Sequence, residues 1–209
     1  FRILVELLLL AYVILAIKEP KYRPRSSYLM WTALLFTVWM GLATFMSVDG
    51  IKSFWSNFER MDGYVTLAHT FVFFVIAGAV LTAEKWWNIF FRVSVAAAAL
   101  QGLYALFQVL HLFGLSPTSQ SGIRADTSFG NAIYVAVFML FNIFITLYLL
   151  VRDRRSTWMQ ALYGIALVLQ FIALYYSQTR GAILGVVGGL LIVAIYIGWR
   201  ATSPEWRTL

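Results

Sequence analysis

Between Arg155 and Arg200 the chain carries a single charged side chain, Arg180, set between two long apolar runs. No water-soluble fold leaves so much sequence without charge, because charged groups cover a soluble surface and make up about 25% of an ordinary domain. Here only 12% of the 209 residues are charged, while 61% are apolar or aromatic. Segments of this kind have lipid as their solvent. The soluble classes are therefore excluded, and nucleic-acid binding with them, despite a net charge of +7. The chain has no cysteine, which excludes disulfides, thiol catalysis and thiolate metal sites. Its two histidines, His69 and His111, are far apart in sequence, so neither a metal nor another cofactor is expected.

A spanning helix needs about 20 mostly apolar residues, with roughly 17 as the lower limit. Seven stretches qualify: Phe1–Ile17, Tyr28–Val48, Tyr64–Ala83, Ile89–Gly114, Ala132–Val151, Met159–Ser177 and Ala182–Trp199. A transmembrane barrel needs strands of about 10 residues that alternate apolar and polar. Runs such as Leu7–Leu10 and Ala96–Leu100 do not alternate. The expectation is an all-α polytopic protein, with one transmembrane domain over residues 1–209. The chain opens at Phe1 inside an apolar run, and it reads as a piece of a longer protein.

Basic residues orient the spans, since cytoplasmic connections carry an excess of Lys and Arg. Lys18, Lys21, Arg23, Arg25, Lys85, Arg92, Arg152, Arg154, Arg155, Arg200 and Arg207 fall on one side. Lys52, Arg60, Arg124 and Arg180, with Arg2 at the edge, fall on the other. Eleven against five makes the first side cytoplasmic, so the connections after spans two, four and six face outward.

Those outward connections carry the candidate chemistry. In Asp49–Gly63, placing residues at 100° intervals gathers Ile51, Phe54, Trp55, Phe58 and Met61 into an arc of about 120°, opposite Lys52 and Arg60. That pattern predicts an interfacial helix over about residues 50–61, either a plain anchor or a carrier of substrate-facing cations. In the second connection Arg124 and Asp126 are the only charges, and Asn131 is placed to cap the next helix. Arg124 and Asp126 either form a weak surface pair, or Arg124 and Asn131 offer donors at the mouth of a cavity. In the third, Ser177-Gln-Thr-Arg-Gly-Ala182 puts Arg180 at a helix N-terminus, which already attracts anions rather than cations. Gly181, Gly185, Gly188 and Gly189 follow, a spacing that lets another helix approach closely or simply packs around a snorkelling arginine. Cations kept on the disfavoured side fit an anionic substrate group such as a lipid-linked pyrophosphate, whose oxygens arginine forks bind bidentately.

Thr127-Ser-Phe-Gly-Asn131 opens one span, and Ser177-Gln-Thr-Arg-Gly-Ala182 opens another about fifty residues later. Together with Glu59-Arg-Met-Asp-Gly63 before span three, this order resembles the O-antigen ligase and polymerase family, over about Ser47 to Trp199. The resemblance implies a GT-C-like fold in a bacterial inner membrane. It implies a metal-independent glycosyltransferase of lipopolysaccharide biosynthesis, with its active site facing outward. The donor would be a lipid-linked oligosaccharide on undecaprenyl pyrophosphate, and the acceptor a glycan, a lipid or a protein. It assigns pyrophosphate stabilisation to Arg180 first and Arg124 next. Substrate binding falls to Arg60, Asn131 and Lys52. It also implies a catalytic histidine in a large outward loop beyond Leu209. Asp49, Glu59, Asp62 and Asp126 are the acids to watch for a metal-dependent variant. Two rivals stand beside it: an anion transporter of the bicarbonate type, which would need Glu6 and His69, and a non-catalytic membrane scaffold.

Overall fold

The computed structural model describes residues 1–57, 62–118 and 124–201. They are helical, without a strand among them. The long helices are α1 (Arg2–Lys18), α2 (Tyr28–Phe45), α4 (Tyr64–Val80), α5 (Glu84–Val109), α6 (Ala132–Arg152), α7 (Thr157–Tyr176) and α8 (Arg180–Ala201). A short α3, Gly50–Trp55, lies between α2 and α4. Five of them, α2, α5, α6, α7 and α8, are long and apolar enough to cross a membrane; α4 is a shorter apolar helix. The large apolar side chains Leu191, Ile192, Ile195 and Ile197 point away from the protein. Water would make that arrangement costly, whereas lipid satisfies it. The chain is a membrane-embedded helical protein.

The chain packs as two compact units, Phe1–Trp87 and Asn88–Leu209. In the first, α4 packs on both α1 and α2, and Tyr12, Ile76 and Ala79 form the core. Polar groups cross this packing as well. Arg2 donates to Thr66 Oγ1 at 3.0 Å, and His69 Nε2 lies 3.2 Å from Glu6 Oε1 while its Nδ1 lies 2.7 Å from the Val65 carbonyl. His69 is thus held by hydrogen bonds inside an apolar helix.

The second unit is built on an α6–α7 hairpin with α8 against α6. Val135, Ala136, Met139 and Ile143 of α6 are fully buried against Ala98 and Ala105 of α5 and Ala173 of α7. Small residues set the distances. A Cβ at Gly102 would stand 2.7 Å from the Leu169 carbonyl, so α5 and α7 meet backbone to backbone there. On α8, only Gly185 and Gly189 of the glycine series face a neighbour, where Leu140 and Phe144 of α6 occupy their space. Gly181 and Gly188 have nothing within 4 Å. One helical row of the four therefore does the packing. A buried polar line crosses the apolar core: Ser94 donates to Asn142 Oδ1 at 2.8 Å, and Thr146 and Gln170 bond each other at 3.0 Å. In lipid such groups find partners only in the protein, which ties α5, α6 and α7 into one register.

The expected interfacial helix is shorter than the apolar arc predicts. It ends at Trp55, because Ser56 takes the left-handed φ of 68° and the chain folds back. Gly63 then lies against the Phe54 carbonyl, where no side chain fits. Phe58, Glu59, Arg60 and Met61 lie outside the described residues.

Candidate functional site

At one end of the second unit, two loops close on each other. Helix α5 ends at Val109 because His111, Phe113 and Gly114 turn with φ of 51°, 56° and 72°. The loop that follows leads to a 3-10 turn, Thr127–Phe129, and Gly130 reverses the chain at φ 65°. Asn131 then caps α6: its side-chain oxygen accepts from the Ile133 amide at 2.9 Å, as its position suggests.

Asp126 holds this loop from within. It is fully buried, and Gln108 Nε2 and the Thr118 amide each donate to its carboxylate at 2.9 Å, with the Thr118 hydroxyl adding a third bond. Gln108 in turn accepts from the Thr127 amide at 2.9 Å. Burial alone pushes the Asp126 carboxyl up, but the donors from Thr118 and Gln108 outweigh it and hold the group below its ordinary value. Asp126 therefore does not serve as the outer half of a surface pair with Arg124; it is an internal anchor.

Arg124 faces the other loop. Its Nε donates to the Ser177 carbonyl at 2.8 Å and its Nη2 to Thr179 Oγ1 at 3.1 Å. The Ala125 amide adds a bond to the Tyr176 carbonyl at 3.0 Å. These acceptors close α7, where unpaired carbonyls carry negative potential and favour a cation. Ser177 is buried, and its hydroxyl bonds back to the Leu174 carbonyl at 2.6 Å. Gln178 takes a φ of 51°, and the Thr179 carbonyl accepts from Ala182 and Ile183 to open α8.

Arg180 is the first residue of α8, and it is exposed. Among the described residues its guanidinium has no hydrogen bond or ion pair. Of the first-turn amides of α8, those of Ala182 and Ile183 are taken by the Thr179 carbonyl, and those of Arg180 and Gly181 lack carbonyl partners within the helix. The arrangement is thus one guanidinium pinned onto Thr179 and a second on the adjoining residue, with which α8 begins. Such a set can bind an anion with several oxygens.

Lys52 belongs to the first unit, exposed on α3, where its amide is capped by Asp49 at 3.0 Å. In that unit α2, α4 and the residues around α3 surround a cavity of about 480 Å³, with Phe36, Met40 and Leu67 as apolar walls and Asp62 and Ser53 at its polar part. Among the described residues, no three His, Asp or Glu side chains gather as metal ligands do.

Gln108, a partner of Asp126, lies outside the residues expected from sequence, although Gln101 and Gln108 share one face of an apolar helix at i and i+7. Thr179, whose hydroxyl joins Arg124 to the Arg180 turn, lies outside them too. No known protein family, curated protein or solved structure matches this chain.

Proposed function

We propose that the chain is part of a membrane glycosyltransferase that moves a glycan from a lipid-linked pyrophosphate to an acceptor hydroxyl, as the resemblance to the O-antigen ligase and polymerase family implies. The observation that carries this reading is the bond from Arg124 to Thr179, which joins a second guanidinium to the turn on which Arg180 begins a helix. The acceptor oxygen attacks the anomeric carbon. The bond from that carbon to the pyrophosphate oxygen breaks, and the pyrophosphate departs with the electron pair. Arg124, already held in place, and the exposed Arg180 meet the charge that builds there, as cations at a developing anion do. The hydroxyl proton passes to a histidine that the resemblance expects beyond Leu209. The apolar walls around Phe36 and Met40 suit an isoprenoid tail.

In this reading the chain crosses a bacterial inner membrane seven times, α1 and α4 included, with Arg124 and Arg180 facing outward. Donor turnover is the test. The full-length protein in proteoliposomes should consume a glycan on undecaprenyl pyrophosphate, and should not carry labelled bicarbonate.

One observation favours the transporter alternative: Glu6 and His69, the two ionisable groups such a mechanism needs, stand 3.2 Å apart. Anion uptake without glycan turnover, abolished in His69→Ala, would establish it.

A further inference from the structure

The opposite end of the second unit holds a second basic site, formed by different residues. A cavity of about 500 Å³ is lined by Arg92, Arg152, Arg154, Arg155, Asp153, Ser156 and Met159. Four guanidiniums against one carboxylate leave an excess of positive charge. Asp153 is turned to the inner wall, where Arg92 Nη2 at 2.9 Å and the buried Tyr163 hydroxyl at 2.8 Å both donate to its Oδ2. Arg152 is held too: its Nη1 donates to the Tyr148 hydroxyl at 2.7 Å, and its guanidinium lies 5.9 Å from the Tyr148 ring centre. Ser156 caps α7, whose first-turn amides add positive potential.

We propose that this cavity binds the phosphate of an anionic membrane phospholipid. A topology signal alone needs only charge in water, with no cavity and no fixed guanidiniums. The site stands at the ends of α6 and α7, both long enough to cross the membrane, which is the level of lipid head groups. Exposed Val151 and Trp158 flank it and offer acyl chains an apolar surface, with Trp158 as an interfacial ring. Basic pockets between spanning helices take anionic head groups in this way, and arginine forks match phosphate oxygens.

Native mass spectrometry of the purified full chain in neutral detergent tests this, with diphosphatidylglycerol, phosphatidylglycerol, phosphatidylcholine and soluble glycerol phosphate as probes. Both anionic lipids should bind and phosphatidylcholine should not. Arg154→Gln with Arg155→Gln should weaken binding about thirtyfold, and Arg155→Gln alone about fivefold, at about 1 kcal/mol per charge. Lys18→Gln with Lys21→Gln, in the first unit, should leave it unchanged. Equal binding by the arginine variants, an equal loss in the lysine variant, or phosphatidylcholine binding as tightly would each overturn the proposal. Displacement of the lipid by glycerol phosphate at matching affinity would show a soluble-phosphate site instead, and overturn the lipid assignment.

Discussion

Arg124 reaches across 53 positions of chain to donate its Nε to the Ser177 carbonyl at 2.8 Å. The bond makes the guanidinium part of the α7 terminus before any substrate arrives. A hydrogen bond from a charged donor contributes about 1.5–3 kcal/mol net. Arg124→Ala should therefore lower the unfolding temperature in detergent as well as glycan transfer. Arg124→Lys should restore part of the stability, because one ammonium cannot take up the positions of both Nε and Nη2. An unchanged melting curve for the alanine variant would contradict the clamp.

Arg180 should behave differently. Its guanidinium has no partner among the described residues, so its removal costs the fold little. Loss of a charged donor to the departing pyrophosphate costs about 3 kcal/mol in the transition state, so Arg180→Ala should slow transfer roughly a hundredfold. Arg180→Lys should recover only part, since a point charge replaces a fork. Rates measured on correctly inserted protein decide this, and wild-type turnover in the alanine variant would remove Arg180 from the mechanism.

Asp126 sets an acid limit on the loop. Its folded pKa lies below the ordinary 3.8, so the unfolded chain takes up the proton first as pH falls. The stabilisation is complete well above 3.8 and is lost as pH drops through that value towards the folded pKa. Asp126→Asn should flatten this part of the profile of unfolding temperature against pH. At neutral pH it should cost about 1–3 kcal/mol, because an amide cannot accept from all three donors. A variant with the wild-type slope would show that another carboxylate governs it.

Gly102 offers a packing test. A methyl group there would stand 2.7 Å from the Leu169 carbonyl, which is backbone and cannot rotate aside. Gly102→Ala should destabilise the protein by about 1–3 kcal/mol. Gly164→Ala, with nothing within 4 Å of the new methyl, should not destabilise it. Comparison of the two unfolding temperatures checks the α5–α7 contact.

The proposed seven crossings would place residues 26 and 111 on opposite sides of the membrane. Both positions are exposed. An impermeant thiol reagent on sealed cells should label His111→Cys and leave Ser26→Cys untouched. The reverse pattern would invert the orientation, and labelling of both would change the number of crossings.

Helix positions were legible from apolar run length because lipid demands continuous apolar sequence. Their ends were less so. The expected span Ile89–Gly114 runs from Glu84 to Val109 instead, since a helix can begin with charged residues in the interface, as Glu84 and Lys85 do. It stops where His111 turns left-handed, which no composition reports. The Asn131 cap was legible because it is a local interaction. The inward turn of Asp126 was not, because its partners Gln108 and Thr118 lie 18 and 8 positions earlier in the chain and nothing local marks them. The contact between Glu6 and His69 is likewise made by the α1–α4 packing, although sequence reasoning names the two together as the ionisable groups a transporter needs.

The bonds from residues 124 and 125 to 176 and 177 close a ring around the entire α6–α7 hairpin. Such a ring has an order of assembly. Arg124 leaves the ribosome before Ser177 is made, and the ring stays open until α7 has folded back along α6 to deliver it. The turn bearing Arg180 thus reaches its final shape only after α7 has folded back along α6 and brought Ser177 to Arg124.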